Sequence, residues 1–139
     1  MIVMSKQFNY LLIIQILLIY NLIFGQESKS KIDSINSLSY DEIVSNIEHS
    51  IKIFTENLEK ARSIAYPKGE GLALSNLALV NYLKGNYDKS TQYHIESFKI
   101  FNNNKMYLEL SDAYGEYGYQ LKRRDLRKAV AYMRMAIKV

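Results

Sequence analysis

Apolar positions in this chain recur at helical rather than strand spacing almost throughout. Ile43, Ile47, Ile51, Phe54, Leu58, Ala61 and Ala65 follow one another at steps of three or four, an average of about 3.7 residues and close to one helical turn. The pattern predicts one long amphipathic helix over residues 39–66. Ser39 and Glu42 make a capping box at its start, and Pro67, which disfavours helix in the residue before it, marks its end. Lys68, Gly69, Glu70 and Gly71 read as the loop that follows. Residues 71–104 then read as two short helices joined at Gly85, Asn86 and Tyr87, and residues 107–121 and 126–139 as a second pair. Five helices, with no alternation of strand and helix, predict an all-α chain. Its antiparallel helix pairs would stack as a short α-solenoid.

Leu74, Leu77 and Ala78 form a large, large, small stripe, Gly85-Asn86-Tyr87 stands at the turn, and Ser90, Tyr93, His94 and Ser97 follow at helical spacing. In these residues the chain resembles a tetratricopeptide repeat. The resemblance takes residues 70–104 as a first repeat and residues 105–139 as a second, which ends as a truncated one would. In the second, Tyr114, Tyr117, Gly118 and Leu121 make the first stripe and Ala129, Tyr132, Met133 and Ala136 the other. Asn81 departs from the family, which usually has an aromatic there. Small sites recur 40 residues apart from Ala78 to Gly118 and 39 apart from Ser90 to Ala129. That exceeds the usual period of about 34 and resembles the longer variants, with Asn102, Asn103 and Asn104 as the added loop. The turn of Lys122, Arg123, Arg124 and Asp125 is a residue shorter and lacks a glycine. Packing explains the pattern, because helices cross closely only where small side chains such as Ala78, Ser90 and Ser97 meet, with Leu74, Leu77 and Phe98 filling the rest. Residues 57–65 look like the end of a second-type helix, so residues 39–66 would be a cap or a degenerate half repeat.

The head of the chain differs. Lys6 precedes a run at residues 10–24 that only Gln15 and Asn21 interrupt, and the chain turns polar at Gln26. Its 15 residues fall short of the roughly 20 needed to span a bilayer, and Gly25 is a small residue suited to cleavage. Residues 1–25 therefore read as a signal peptide, with Ile23 an imperfect fit to the cleavage pattern, and residues 26–38 as a polar linker. Export to the periplasm or cell envelope follows. The alternative is an inner-membrane anchor formed by residues 8–24, in which case the membrane is itself a partner. The absence of cysteine rules out a lipoprotein route, disulfides and thiolate chemistry together. Without the leader, 114 residues (139 less 25) remain, enough for one domain burying about two-thirds of its unfolded surface. Their 17 basic residues (18 less Lys6) against 14 acidic ones are too mild an excess to imply nucleic acid.

Candidate chemistry is sparse. His49 and His94 have no second histidine at helical spacing to make a metal pair. Asp41 with Glu42, and Glu56 with Glu59, have no apolar surroundings in the sequence to raise a pKa, and Gly69 and Gly71 lack the lysine of a phosphate loop. The basic group Lys122, Arg123, Arg124, Arg127 and Lys128 reads as a solvated turn with Asp125 as a helix N-cap. No catalytic residue, metal site or cofactor is expected.

What the resemblance implies is a non-catalytic scaffold for a protein or peptide partner. Carried over by position, its concave groove would present Ser75, Leu79 and Tyr82 from the first repeat and Tyr119 and Lys122 from the second. With Tyr114 and Tyr117 nearby, such a groove suits an extended or helical peptide. Met133, Ala136, Ile137 and Val139 end the chain on an apolar helix that a homodimer would cover. The alternative role is the truncated input part of a bacterial signalling protein, a histidine kinase or transcriptional regulator.

Overall fold

The computed structural model describes residues 2–139, and all of their side chains except those of residues 2–9, 21 and 22; Lys6, at the head of the expected signal peptide, thus lies outside the described side chains. Among the described residues there are seven helices and no strand: α1 (Ile2–Asn36), α2 (Tyr40–Ser45), α3 (Ile47–Ser63), α4 (Pro67–Leu83), α5 (Tyr87–Asn103), α6 (Tyr107–Leu121) and α7 (Leu126–Lys138). From α3 onward each helix packs on its predecessor, while α1 lies against α3 and α4, and α4 also meets α6. The chain is all-α, built from stacked helix pairs.

A 20-residue unit underlies the stack. Helices α3, α4 and α5 are each 17 residues long and start at residues 47, 67 and 87. Each ends the same way. Ala65, Gly85 and Lys105 adopt left-handed backbone with φ of 50°, 81° and 57°. The next amide, of Tyr66, Asn86 and Met106, then reaches back five residues to the carbonyl of Ala61, Asn81 and Phe101, at 2.9, 2.8 and 2.9 Å. This is the Schellman closure, which satisfies carbonyls that a helix end leaves open and reverses the chain within three residues. Two such units make the 40-residue spacing seen in the sequence. The last turn differs: the Asp125 amide closes onto Leu121 O at 2.8 Å, one residue short of the unit.

Two apolar clusters lie along the stack. Ile43, Phe54, Leu58, Ala73, Leu74, Leu77 and Val80 join α2, α3 and α4. Phe98, Phe101, Leu110, Ala113, Tyr117, Leu121 and Ala129 join α5, α6 and α7. The expected small residues sit at the crossings: Ala78, Ser90, Ser97 and Ala129 are all buried. Gly118 is pressed against α7, where an added Cβ would stand 2.9 Å from Met133 Cγ and 3.1 Å from the Ala129 carbonyl. Ala136 is half-buried, and its carbonyl accepts from Ser111 Oγ at 2.7 Å.

Four expectations need correction. Residues 26–36 are no linker but the end of α1, with Ile32 fully buried and Ile35 packed on the first cluster. A few apolar side chains in a polar segment suffice, because α3 and α4 supply polar partners. Asn57 Nδ2 donates to Ile32 O and Asn36 Oδ1, and Tyr66 OH donates to Asp33. Residues 39–66 are two helices, broken at Asn46, whose Oδ1 accepts from the His49 amide at 3.0 Å and so caps α3. The apolar period runs through the break because Ser50 Oγ bridges it to Ile43 O. The capping box of Ser39 and Glu42 is present at the head of α2. Finally, Gly69 and Gly71 belong to the first turn of α4, which Pro67 opens, and both are buried. Likewise Asn102 and Asn103 continue α5, and the turn begins at Asn104.

Left-handed backbone costs an L-residue about 1–2 kcal/mol. Ala65→Gly and Lys105→Gly should therefore each stabilise the chain by roughly 1 kcal/mol in urea denaturation, and Gly85→Ala should destabilise it by a similar amount.

Candidate binding cleft

The C-terminal part of α1, with α4 and α6, lines one face of the stack, one helix from each successive pair. Its floor is knit by amides. Asn36 Nδ2 donates to Gly69 O at 2.9 Å, and Asn76 Nδ2 donates to Asn36 O at 3.0 Å. Between these helices opens a cleft of about 140 Å³, with Asn36, Leu72, Ser75 and Asn76 on one side, Glu109, Asp112 and Glu116 on the other, and Phe101 and Ala113 beneath. Spacing of three and four along α6 turns those three carboxylates to one face. Phe101, which floors the cleft, comes from α5 and packs tightly on α4 because Gly71 offers no side chain: a Cβ there would stand 2.3 Å from Phe101 Cε1.

The carboxylates are unlike one another. Glu109 pairs with Lys68 Nζ at 3.0 Å, and that hydrogen bond holds it below the usual carboxylate range. Asp112 is exposed. Glu116 is partly covered, and burial pushes it up to about 7 although Gln120 Nε2, donating at 3.3 Å, pulls the other way. Gln120 Oε1 lies 3.0 Å from His94 Nε2 and accepts from Ser90 Oγ at 3.3 Å. With only an acceptor facing it, His94 Nε2 carries the proton. Burial lowers His94 to about 4, so it is neutral at pH 7; its Nδ1 is buried without a hydrogen-bond partner. Its ring packs 4.7 Å from Tyr117 and 5.8 Å from Phe98. A polar chain thus runs from the cleft through Gln120 into the core between α5 and α6. Ser75 Oγ, on the cleft wall, is likewise buried and unpaired.

Of the groove residues expected from the sequence, only Ser75 lines this cleft. Leu79 faces inward, packed on the first apolar cluster. Tyr82 is half-buried with its ring 5.7 Å from Tyr87, which in turn has the Arg124 guanidinium 3.7 Å above it. Tyr119 is 70% exposed, and Lys122 follows it at the end of α6. Tyr114 and Tyr117 do not line this cleft: they pack with Phe98 and Tyr132, at 4.6–5.9 Å, in a ring cluster among α5, α6 and α7. His49 is exposed, and Asp125 caps α7 by accepting from the Lys128 amide at 3.0 Å. Among the described residues no group of three His, Asp or Glu is arranged to hold a metal ion. The signal for the cleft carboxylates in the sequence is their spacing of three and four on the stripe that flanks Leu110, Ala113 and Tyr117.

What the fold defines is a class: an all-α stack of helix pairs with a polar, acidic cleft on one face. No family model matches the chain, and neither the curated proteins nor the solved structures contain a match.

His94 and Glu116 give opposite pH dependences. His94, lowered in the folded state, contributes stability above its unfolded value near 6.5 that is lost as pH falls toward 4. Glu116, raised in the folded state, contributes stability below about 4.5 that is lost as pH rises toward 7. Thermal unfolding followed by circular dichroism should find Glu116→Gln gaining on the parent chain between pH 5 and 8. His94→Phe should lose less stability than the parent between pH 6.5 and 4.5.

Proposed function

We propose that the chain is a non-catalytic protein-interaction scaffold of the tetratricopeptide type, taking a polypeptide segment across α1, α4 and α6. One observation carries this reading: three helices from successive pairs present side chains to a single polar cleft. Backbone amides and one or more cationic side chains of a partner suit that lining, since the cleft offers carboxylates, amide oxygens and an unpaired hydroxyl. Polar recognition on a preformed helical face loses little to ordering, which is how stacked helical arrays serve as scaffolds. The apolar head of α1 supports a route to the cell envelope.

Selection of random peptides on the immobilised chain is the direct test. Enriched peptides should contain Lys or Arg, and Asp112→Lys should weaken them about ten-fold, or 1.4 kcal/mol, with the loss reduced at high salt. Peptides that bind the parent and Asp112→Lys equally well place the partner elsewhere.

A second surface supports self-association. On α7, Val130 and Ile137, seven residues apart and so on one face, are exposed, Ile137 to 86%. Light scattering across a concentration series should find a dimer, and Val130→Lys with Ile137→Lys should return it to monomer. A parent chain that stays monomeric at high concentration removes the homodimer.

A further inference from the structure

We propose that α1 is a retained membrane anchor that enters the helix stack without a linker, its occupant being a lipid bilayer and its last turns being part of the folded array. Three observations carry this. The first is length. Between Lys6 and Glu27 lie 20 residues with no charged side chain, which in a helix rise about 30 Å, the thickness of a bilayer's hydrocarbon core. The second is exposure. Leu11, Leu12, Ile13, Ile14, Ile16 and Leu18 are 48–65% exposed and point to every side of the helix, and no part of the apolar window is buried against the protein. A helix apolar all round, with no protein face to cover it, matches lipid rather than a partner's groove.

The third is the junction. Helix α1 continues unbroken through Gly25 to Asn36, and Ile32, only eight residues past Phe24, is fully buried in the stack. Eight residues rise about 12 Å, a little more than a headgroup layer of roughly 5–8 Å. The array therefore stands directly on the membrane surface. Lysines mark this level: Lys60 Nζ of α3 lies 5.8 Å from the Phe24 ring centre and Lys29 Nζ lies 5.2 Å from that of Tyr66. Long ammonium side chains beside an aromatic ring at the edge of an apolar span are placed to reach headgroups. Phe24 also walls a cleft of about 380 Å³ between α1 and α3, with Lys31, Ile35, Ile53 and Lys60. Cleavage after Gly25 would remove that wall, and Ile23 stands where a signal-peptide site needs a small residue.

The full chain with a C-terminal tag, expressed in a bacterial host, tests retention. Expected is an uncleaved chain, 16.2 kDa plus the tag, in a membrane pellet that alkaline carbonate does not extract, as for a spanning helix. Recovery of soluble protein beginning at Gln26, or a full-length chain that carbonate releases, overturns the proposal. Depth is read separately. The chain has no tryptophan, so Ile16→Trp and Phe24→Trp each introduce a single reporter in phosphatidylcholine vesicles. Ile16→Trp should be quenched most by lipids brominated near the bilayer centre, and Phe24→Trp by lipids brominated near the headgroups. Equal depth for both means that α1 lies along the surface, which also overturns it. Neither measurement depends on what the acidic cleft binds.

Discussion

The backbone reversal at Ala65, Gly85 and Lys105 is the constraint on which the rest of the structure rests. Three helices end on the same five-residue hydrogen-bond closure, 20 residues apart. That closure fixes both the direction and the rotation of the next helix. Because the same turn follows α4 and α5, α6 returns to the face of α4, and α1, which packs directly on α4, completes the cleft that they share. A different turn after α6 ends the regularity and leaves α7 one residue out of step with the unit.

Close approach between neighbouring helices is the second requirement. Gly71 admits the Phe101 ring, Gly118 admits Met133, and Gly69 admits Ile32 and Tyr66. Each contact joins a helix to a different neighbour, so the glycines distribute close packing along the whole stack. Dispersion contacts at such crossings are individually weak and collectively large. Surface ion pairs add less. Arg62 bridges α3 to Glu70 on α4 and Glu96 on α5, but it is well exposed, and such pairs contribute only about 0–1 kcal/mol.

Between α5 and α6 the packing admits polar groups. Gln120 holds His94 and Ser90 on one side and Glu116 on the other, within an aromatic cluster of Phe98, Tyr117 and Tyr132. A buried polar chain of this kind is costly wherever a partner is missing. The unpaired Nδ1 of His94 is such a place. The chain fixes the tautomer of His94 and ties the covering of Glu116 in the cleft to the packing of α5 on α6.

Local pattern alone determined much of this protein. The all-α class, the last two helices, the capping box of Ser39 and Glu42, the Asp125 cap and the burial of Ala78, Ser90, Ser97 and Ala129 were legible because each rests on spacing within a few residues. So was the turn at Gly85, since glycine announces left-handed backbone. Pro67 and Asn104 marked where the equivalent turns fall, but the left-handed backbone at Ala65 and Lys105 was hidden, because there it is imposed by the helices that the turn joins. Residues 26–36 looked like a linker because their few apolar side chains matter only once α3 and α4 receive them. Gly69 and Gly71 read as loop because no local signal separates a glycine that bends the chain from one that lets another helix in. The cleft was the least legible element. Its residues come from four helices and lie up to 80 positions apart, from Asn36 to Glu116, and only the stacking of those helices sets Ser75, Asn76 and the α6 carboxylates side by side.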